Sequence, residues 1–260
     1  MRIFHLLLAV IMTVTTAQAE MRELRQLNTG DDSRGWEAVG RIDFGRTGFC
    51  TGVLVAPDLV LTAGHCLFNK ATGERFGASD IRFSAGLRNG RASAYRNVKY
   101  AVVHPKYRFA QNTKASQVRD DVALLQLAHP IRNTGVLPFE TTDRPAPGAR
   151  IAVVSYAHDR AEAPSLQEAC EVIDRRRGVL VMSCAADFGA SGAPVFSIEG
   201  GVPRIVALIS AKAEAGGVPV SLGTSLKEPL ALLKVELNAQ SLFKQVGTDE
   251  RPSGAKFLRP

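Results

Sequence analysis

Short runs of β-branched and apolar residues recur along the chain, at 49–55, 59–62, 98–103, 122–127, 151–156, 179–182, 194–198 and 205–210. Each is strand length and rich in Val, Ile, Leu or Phe. Turn residues separate them, as in Ala56-Pro57-Asp58, Arg88-Asn89-Gly90, Ala146-Pro147-Gly148 and Glu199-Gly200-Gly201. Many short strands without alternating helices argue for an all-β barrel or sandwich rather than a βαβ fold. Two stretches break the pattern. Residues 132–147 carry Pro138, Pro145 and Pro147 and read as a linker between two halves. Near the end, Leu230, Leu233, Leu237 and Leu242 fall on roughly one face of a helix expected over 226–246, followed by a polar, flexible tail at 247–260.

The first residues follow another pattern. Arg2 precedes a largely apolar run of 12 residues, Ile3 to Val14, and then Ala17-Gln18-Ala19. This predicts a secretory signal peptide at 1–19, and an exported product, periplasmic or secreted. The apolar run is too short for a bilayer, which needs about 20 residues, so no integral membrane segment is expected after cleavage. With 45% hydrophobic and 22% charged residues, the chain as a whole has an ordinarily globular composition and is not disordered, collagen-like or a coiled coil. The net charge of +7, or +6 without Arg2, permits contact with anionic surfaces. The basic residues are nevertheless scattered. The one tight run, Arg175-Arg176-Arg177, lacks interleaved aromatics, reads as a solvated turn, and leaves no nucleic-acid partner expected. Four cysteines in an exported chain imply disulfides, and of three possible connectivities the short loops Cys50/Cys66 and Cys170/Cys184 are the economical one.

Candidate chemistry begins at Thr62-Ala63-Gly64-His65-Cys66, where a histidine able to exchange a proton near neutrality sits beside a half-cystine. His104, His129 and His158 form no spaced ligand set, so no metal site is expected. Next comes Asp120-Asp121-Val122-Ala123-Leu124-Leu125. Asp120 reads as a solvated loop residue, whereas Asp121 at the entrance of an apolar strand needs a partner to offset burial, and an imidazolium-forming histidine would serve. The third element is Asp187-Phe188-Gly189-Ala190-Ser191-Gly192-Ala193-Pro194, a small-residue loop that could expose a serine hydroxyl beside turning backbone N–H groups.

Together these blocks, in the order His, Asp, Ser, resemble the chymotrypsin-like (trypsin-fold) serine peptidases, close to the small exported bacterial branch that includes glutamyl endopeptidases. The resemblance implies two six-stranded antiparallel β-barrels with the active site in the cleft between them, plus the C-terminal helix. It implies an N-terminal arm at 20–35, a first barrel at 36–131, and a second at 148–225. It also implies His65, Asp121 and Ser191 as a catalytic triad, and the N–H groups of Gly189 and Ser191 as an oxyanion hole. A polypeptide substrate would add to the strand edge at Ser210, Ala211 and Lys212. The expected protein is a monomeric serine endopeptidase without cofactor; the alternative is a non-catalytic binding member of the same fold.

Three positions depart from the family pattern. Ala190 stands where trypsin-type members place an aspartate for a newly cut N-terminus, which predicts a preformed oxyanion hole and a loose arm. The loop from Cys184 to Ser191 differs in length from the trypsin pattern. Ile209 stands where glutamyl-specific members place a histidine. With Val181-Met182-Ser183 leading into the loop and Lys212 at the rim, Lys and Arg are disfavoured as P1 residues; small or apolar ones are expected, and acidic ones are compatible.

Overall fold

The computed structural model describes residues 24–45, 47–110 and 115–248, so the expected signal peptide at 1–19 and residues 249–260 lie outside the described residues. In chain order the first strands are β1 (Leu24–Gln26), β2 (Val39–Phe44), β3 (Phe49–Ala56), β4 (Leu59–Thr62), β5 (Ile81–Ala85), β6 (Ala94–Val103) and β7 (Ala123–Leu127). After residues 128–149 come β8 (Arg150–Ala157), β9 (Arg160–Arg176), β10 (Val179–Met182), β11 (Pro194–Glu199), β12 (Val202–Ala215) and β13 (Val218–Ser225).

The first six-stranded barrel runs β2-β3-β4-β7-β6-β5 and closes through β2 on β5. Its strands form because apolar side chains alternate inward. In β2, Val39, Ile42 and Phe44 are buried while Arg41 and Asp43 are half-buried and pair with each other at 2.8 Å. The second barrel runs β8-β9-β10-β13-β12-β11 and closes through β11 on β8, all pairings being antiparallel. Closure depends on β9, whose first part pairs with β8 and whose last part, Val172 to Arg176, pairs with β10.

Two contacts between the halves place the cleft. Trp36, Phe139 and Phe196 cluster with ring centroids 4.7 to 5.8 Å apart, joining the second barrel's β11 to the first barrel's core. Residues 139–142 are stitched on both sides, Phe139 N–H donating to Leu54 O at 3.0 Å and Thr142 N–H to Ile205 O at 2.9 Å. A second apolar cluster, with Val153, Met182, Val195 and Val206, fills the second barrel alone. It contains the Cys170–Cys184 disulfide; the other bridge is Cys50–Cys66, so the short-loop pairing holds.

Three expectations need correction. The described part of the arm, 24–35, is not loose: Leu24, Arg25 and Gln26 pair with Gln167, Leu166 and Ser165 of β9, and Leu27 is fully buried. Burying Leu27 and completing the outer edge of β9 outweigh the polar sequence around it. The helix spans Lys227–Thr248, and Leu230, Leu233 and Leu237 are buried, but Leu242 is 60% exposed. Asp120 is not solvated; its side chain is 14% exposed and lies 3.2 Å from Arg119 and 3.7 Å from His104.

Candidate active site

His65 is placed by three local features. β4 ends at Thr62, Ala63 stays extended, and a single turn of 3-10 helix spans Gly64–Leu67. The Cys50–Cys66 bridge fastens this turn to β3. Gly64 is needed for a close approach, since a Cβ there would meet Asp121 Oδ1 at 3.1 Å and Val122 N at 3.2 Å. Asp121, only 1% exposed, therefore reaches His65 twice: the His65 backbone N–H donates to Oδ1 at 2.7 Å, and Nδ1 lies 2.7 Å from Oδ2. Ser210 Oγ donates to Oδ2 as well. Three donors on one buried carboxylate offset its desolvation and hold the ring with Nδ1 engaged, leaving Nε2 for the cleft.

Ser210 owes its direction to a β-bulge. Along β12, Ile209 pairs with Gly223 and Ala211 with Leu222, so Ser210 is the extra residue whose side chain turns from the ladder toward Asp121. It is buried and its hydroxyl is spent on the carboxylate, so its side chain is not free for another partner. β11 pairs only as far as Leu208, so among the described residues no strand covers the other edge of Ser210 to Lys212.

Ser191 sits in a tight loop between Gly189 (φ 99°) and Gly192 (φ 76°), backbone conformations that favour glycine. Ala190 N–H donates to Asp187 O and Ala193 N–H to Ala190 O, both at 2.9 Å, while Gly192 N–H donates to Ile209 O at 2.7 Å. The N–H groups of Gly189 and Ser191 have no hydrogen-bond partner among the described residues, leaving two backbone donors free on one loop. Ala190 is buried beside them, a methyl group without charge. The Ser191 hydroxyl makes no hydrogen bond to His65 among the described residues; such contacts commonly tighten only with substrate bound.

The sequence reading missed Thr51. Its N–H donates to Ser191 O at 2.9 Å, its hydroxyl donates to Gly189 O at 2.9 Å, and the same oxygen accepts from Tyr156 N–H at 3.0 Å. Thr62 Oγ1 donates to Thr51 O at 2.9 Å. One first-barrel residue thus ties the serine loop to the strand preceding His65. Its place between Cys50 and Gly52 gave no signal beyond membership of the histidine block.

Charge gathers at the loop's mouth. Phe188 is 73% exposed, with Lys70 Nζ at 5.4 Å and Lys212 Nζ at 5.7 Å from its ring centroid. Lys212 also pairs with Asp187, and Arg160 Nη1 lies 3.9 Å from the same carboxylate. Arg160 Nε and Nη2 are buried without a partner. Asp187 is therefore engaged by cations and offers no isolated acidic floor. Among the described residues, the His/Cys/Asp/Glu group compact enough for a metal is Cys50, His65 and Cys66, but its sulfurs are bonded to each other and carry no thiolate.

A family model described as a trypsin-like peptidase domain matches residues 50–205. A glutamyl endopeptidase of Bacillus licheniformis is 27% identical over 150 residues, 57% of this chain and 45% of that protein. Human serine protease 23 is 31% identical over 166 residues, covering 56% of this chain and 42% of that one. The matched segments thus span less than half of these relatives. A solved Glu endopeptidase in complex with MPD shares the fold, with a TM-score of 0.65 at 20% identity over 84% of this chain and 95% of that one.

Proposed function

The chain belongs to the trypsin-like peptidase family, and from that premise we propose that it is an exported serine endopeptidase acting through Ser191, His65 and Asp121. Ser191 Oγ attacks the scissile carbonyl carbon as His65 Nε2 takes its proton. The carbonyl oxygen becomes an oxyanion facing the N–H groups of Gly189 and Ser191. Collapse breaks the C–N bond, the amine leaves with the proton from His65, and an acyl-enzyme remains on Ser191. Water, deprotonated by His65, then releases the acid and restores the serine. Asp121 fixes the ring and stabilises the imidazolium. The observation that carries this reading is the twofold bond from His65 to a carboxylate only 1% exposed, in a chain whose Gly189 and Ser191 N–H groups have no partner among the described residues. Two disulfides support export to an oxidising compartment.

For specificity we propose exclusion of Lys and Arg at P1 and tolerance of acidic residues. Lys212 and Arg160 at Asp187, and Lys70 over the Phe188 ring, favour an incoming carboxylate over a cation. The name of the glutamyl endopeptidase relative points the same way.

An active-serine phosphonate tests the reaction, and a peptide library tests specificity. Wild-type protein is expected to take the label at one site and Ser191→Ala to refuse it. Folded wild-type protein that stays unlabelled would favour a non-catalytic binding module. Preferred cleavage after Arg would remove the specificity reading without touching the triad.

A further inference from the structure

A cavity of ≈ 810 Å³ opens beside Asp120, and neither His65 nor Ser191 lines it. Six cationic side chains do: Lys106, Arg119, Arg144, Arg175, Arg177 and Lys227. They come from separate stretches of chain: the loops after β6 and before β7, residues 128–149, the β9–β10 hairpin and the start of the C-terminal helix. Asp120, Asp143 and Glu228 are the carboxylates present. Two are already engaged, Asp120 with Arg119 at 3.2 Å and Asp143 with Lys227 at 2.9 Å. Lys106, Arg144, Arg175 and Arg177 have no ion-pair partner among the described residues.

These cations are positioned and not merely exposed. Arg144 Nη1 donates to Arg176 O at 3.3 Å, and Arg175 Nη1 donates to Arg144 O at 3.2 Å, so each guanidinium is anchored on the backbone of the other stretch. The Arg119 stem crosses Gly178, where a Cβ would stand 2.4 Å from it. Like charges gathered around one cavity repel each other unless an anion enters.

We propose that this cavity binds a polyanion carrying phosphate or sulfate groups in close series. Guanidinium forks match tetrahedral oxyanions. Among the described residues no Phe, Tyr or Trp lines the cavity, so it lacks the series of broad aromatic faces on which successive bases stack. An extended acidic peptide presents same-face side chains about 7 Å apart, too sparse to neutralise four cations around one cavity. An oligophosphate or a sulfated oligosaccharide carries charge more densely. Bound there, such a polymer would tether the protein while leaving the His65–Ser191 cleft open.

The test is calorimetric titration of the full mature protein with tripolyphosphate and, separately, with a heparin-derived hexasaccharide, the two arms distinguishing phosphate from sulfate. Wild type is expected to bind at least one, more weakly at 200 mM than at 50 mM salt. Arg144→Glu/Arg175→Glu/Arg177→Glu is expected to lower that affinity at least tenfold. Arg91→Glu/Lys99→Glu/Lys234→Glu, with the same net charge, is expected to stay within about twofold. Equal loss in both variants would reduce the effect to net charge and overturn the site. Binding of neither probe, or tighter binding of a tetraglutamate peptide or an oligonucleotide, overturns it too. Should the triple variant fail to fold, Arg177→Ala alone must still weaken binding, and unchanged affinity there counts against the proposal. Labelling by the phosphonate is read separately, so this result is independent of the peptidase reading.

Discussion

The first barrel closes with six strands of 4 to 10 residues, whereas the second relies on β9, 17 residues long, and β12, 14 residues long. Short strands with inward apolar residues make a compact frame, and His65 and Asp121 both stand at its strand ends, bonded to each other. The second barrel offers its serine on a loop and its Ser210 from a bulge. One half therefore holds a finished pair, while the other holds parts whose place depends on contact with the first. That contact runs through Thr51, Thr62 and Gly192, and through the Ser210 hydroxyl on the Asp121 carboxylate.

The largest expected effect breaks the pair inside the first barrel and leaves the seam alone. Asp121→Asn keeps the volume but turns an N–H₂ toward donors that now face a carboxylate. The ring then adopts the wrong tautomer, and turnover should fall roughly 10,000-fold. Steady-state kinetics on a peptide substrate check this. A loss below tenfold would mean that the pair is not the centre of the first barrel's contribution.

Second is the seam. At Gly192, φ is 76° and a Cβ would stand 2.2 Å from Thr62 Oγ1 and 2.4 Å from Thr51 O. Gly192→Ala combines a left-handed non-glycine residue with overpacking against backbone, together about 3 kcal/mol. Chemical denaturation should show that loss, and the remaining folded protein should label slowly with phosphonate. Unchanged stability would show that the barrels separate more easily than the contacts indicate.

A gentler cut uses Thr51→Val, which keeps the shape and removes the hydroxyl. Gly189 O and Tyr156 N–H then lose a buried partner, at about 1 to 3 kcal/mol. We expect kcat to fall about tenfold with KM little changed, and Thr51→Ser to restore it. A loss of stability with kcat unchanged would make Thr51 a structural residue only.

The same contrast governs what the sequence reveals. Runs such as 59–62 and 179–182 coincide with β4 and β10 because buried apolar residues need no other explanation. β9 was hidden, since Pro164 and five acidic or basic residues past it read as loop, and only pairing with β1, β8 and β10 makes it a strand. β13 was hidden likewise by Pro219, Ser221 and Gly223. The blocks carrying His65, Asp121 and Ser191 were legible because each is a local motif. Thr51 and Ser210 were not legible in those roles, because a hydrogen bond across 138 or 89 positions leaves no local mark.

The smallest effect concerns His104, which follows β6 of the first barrel and lines the cationic cavity. Burial is the main influence, holding its pKa below the ordinary imidazole value; Asp120 pulls it up, while Lys106 and Arg119 push it down. The folded protein thus takes this proton less readily than the unfolded chain. Well above the ordinary value both states carry a neutral ring, and His104 contributes its full stabilising share. As pH falls through the unfolded value the unfolded chain gains the proton first, and that share is lost until the lowered folded pKa is passed. His104→Gln cannot take part in this titration. Comparing unfolding free energies at pH 7, 6 and 5, wild type should lose more stability on acidification than the variant, so the gap between them narrows. Parallel losses would mean that His104 is already solvated in the folded protein and that the first barrel carries no acid-sensitive element at this edge of the seam.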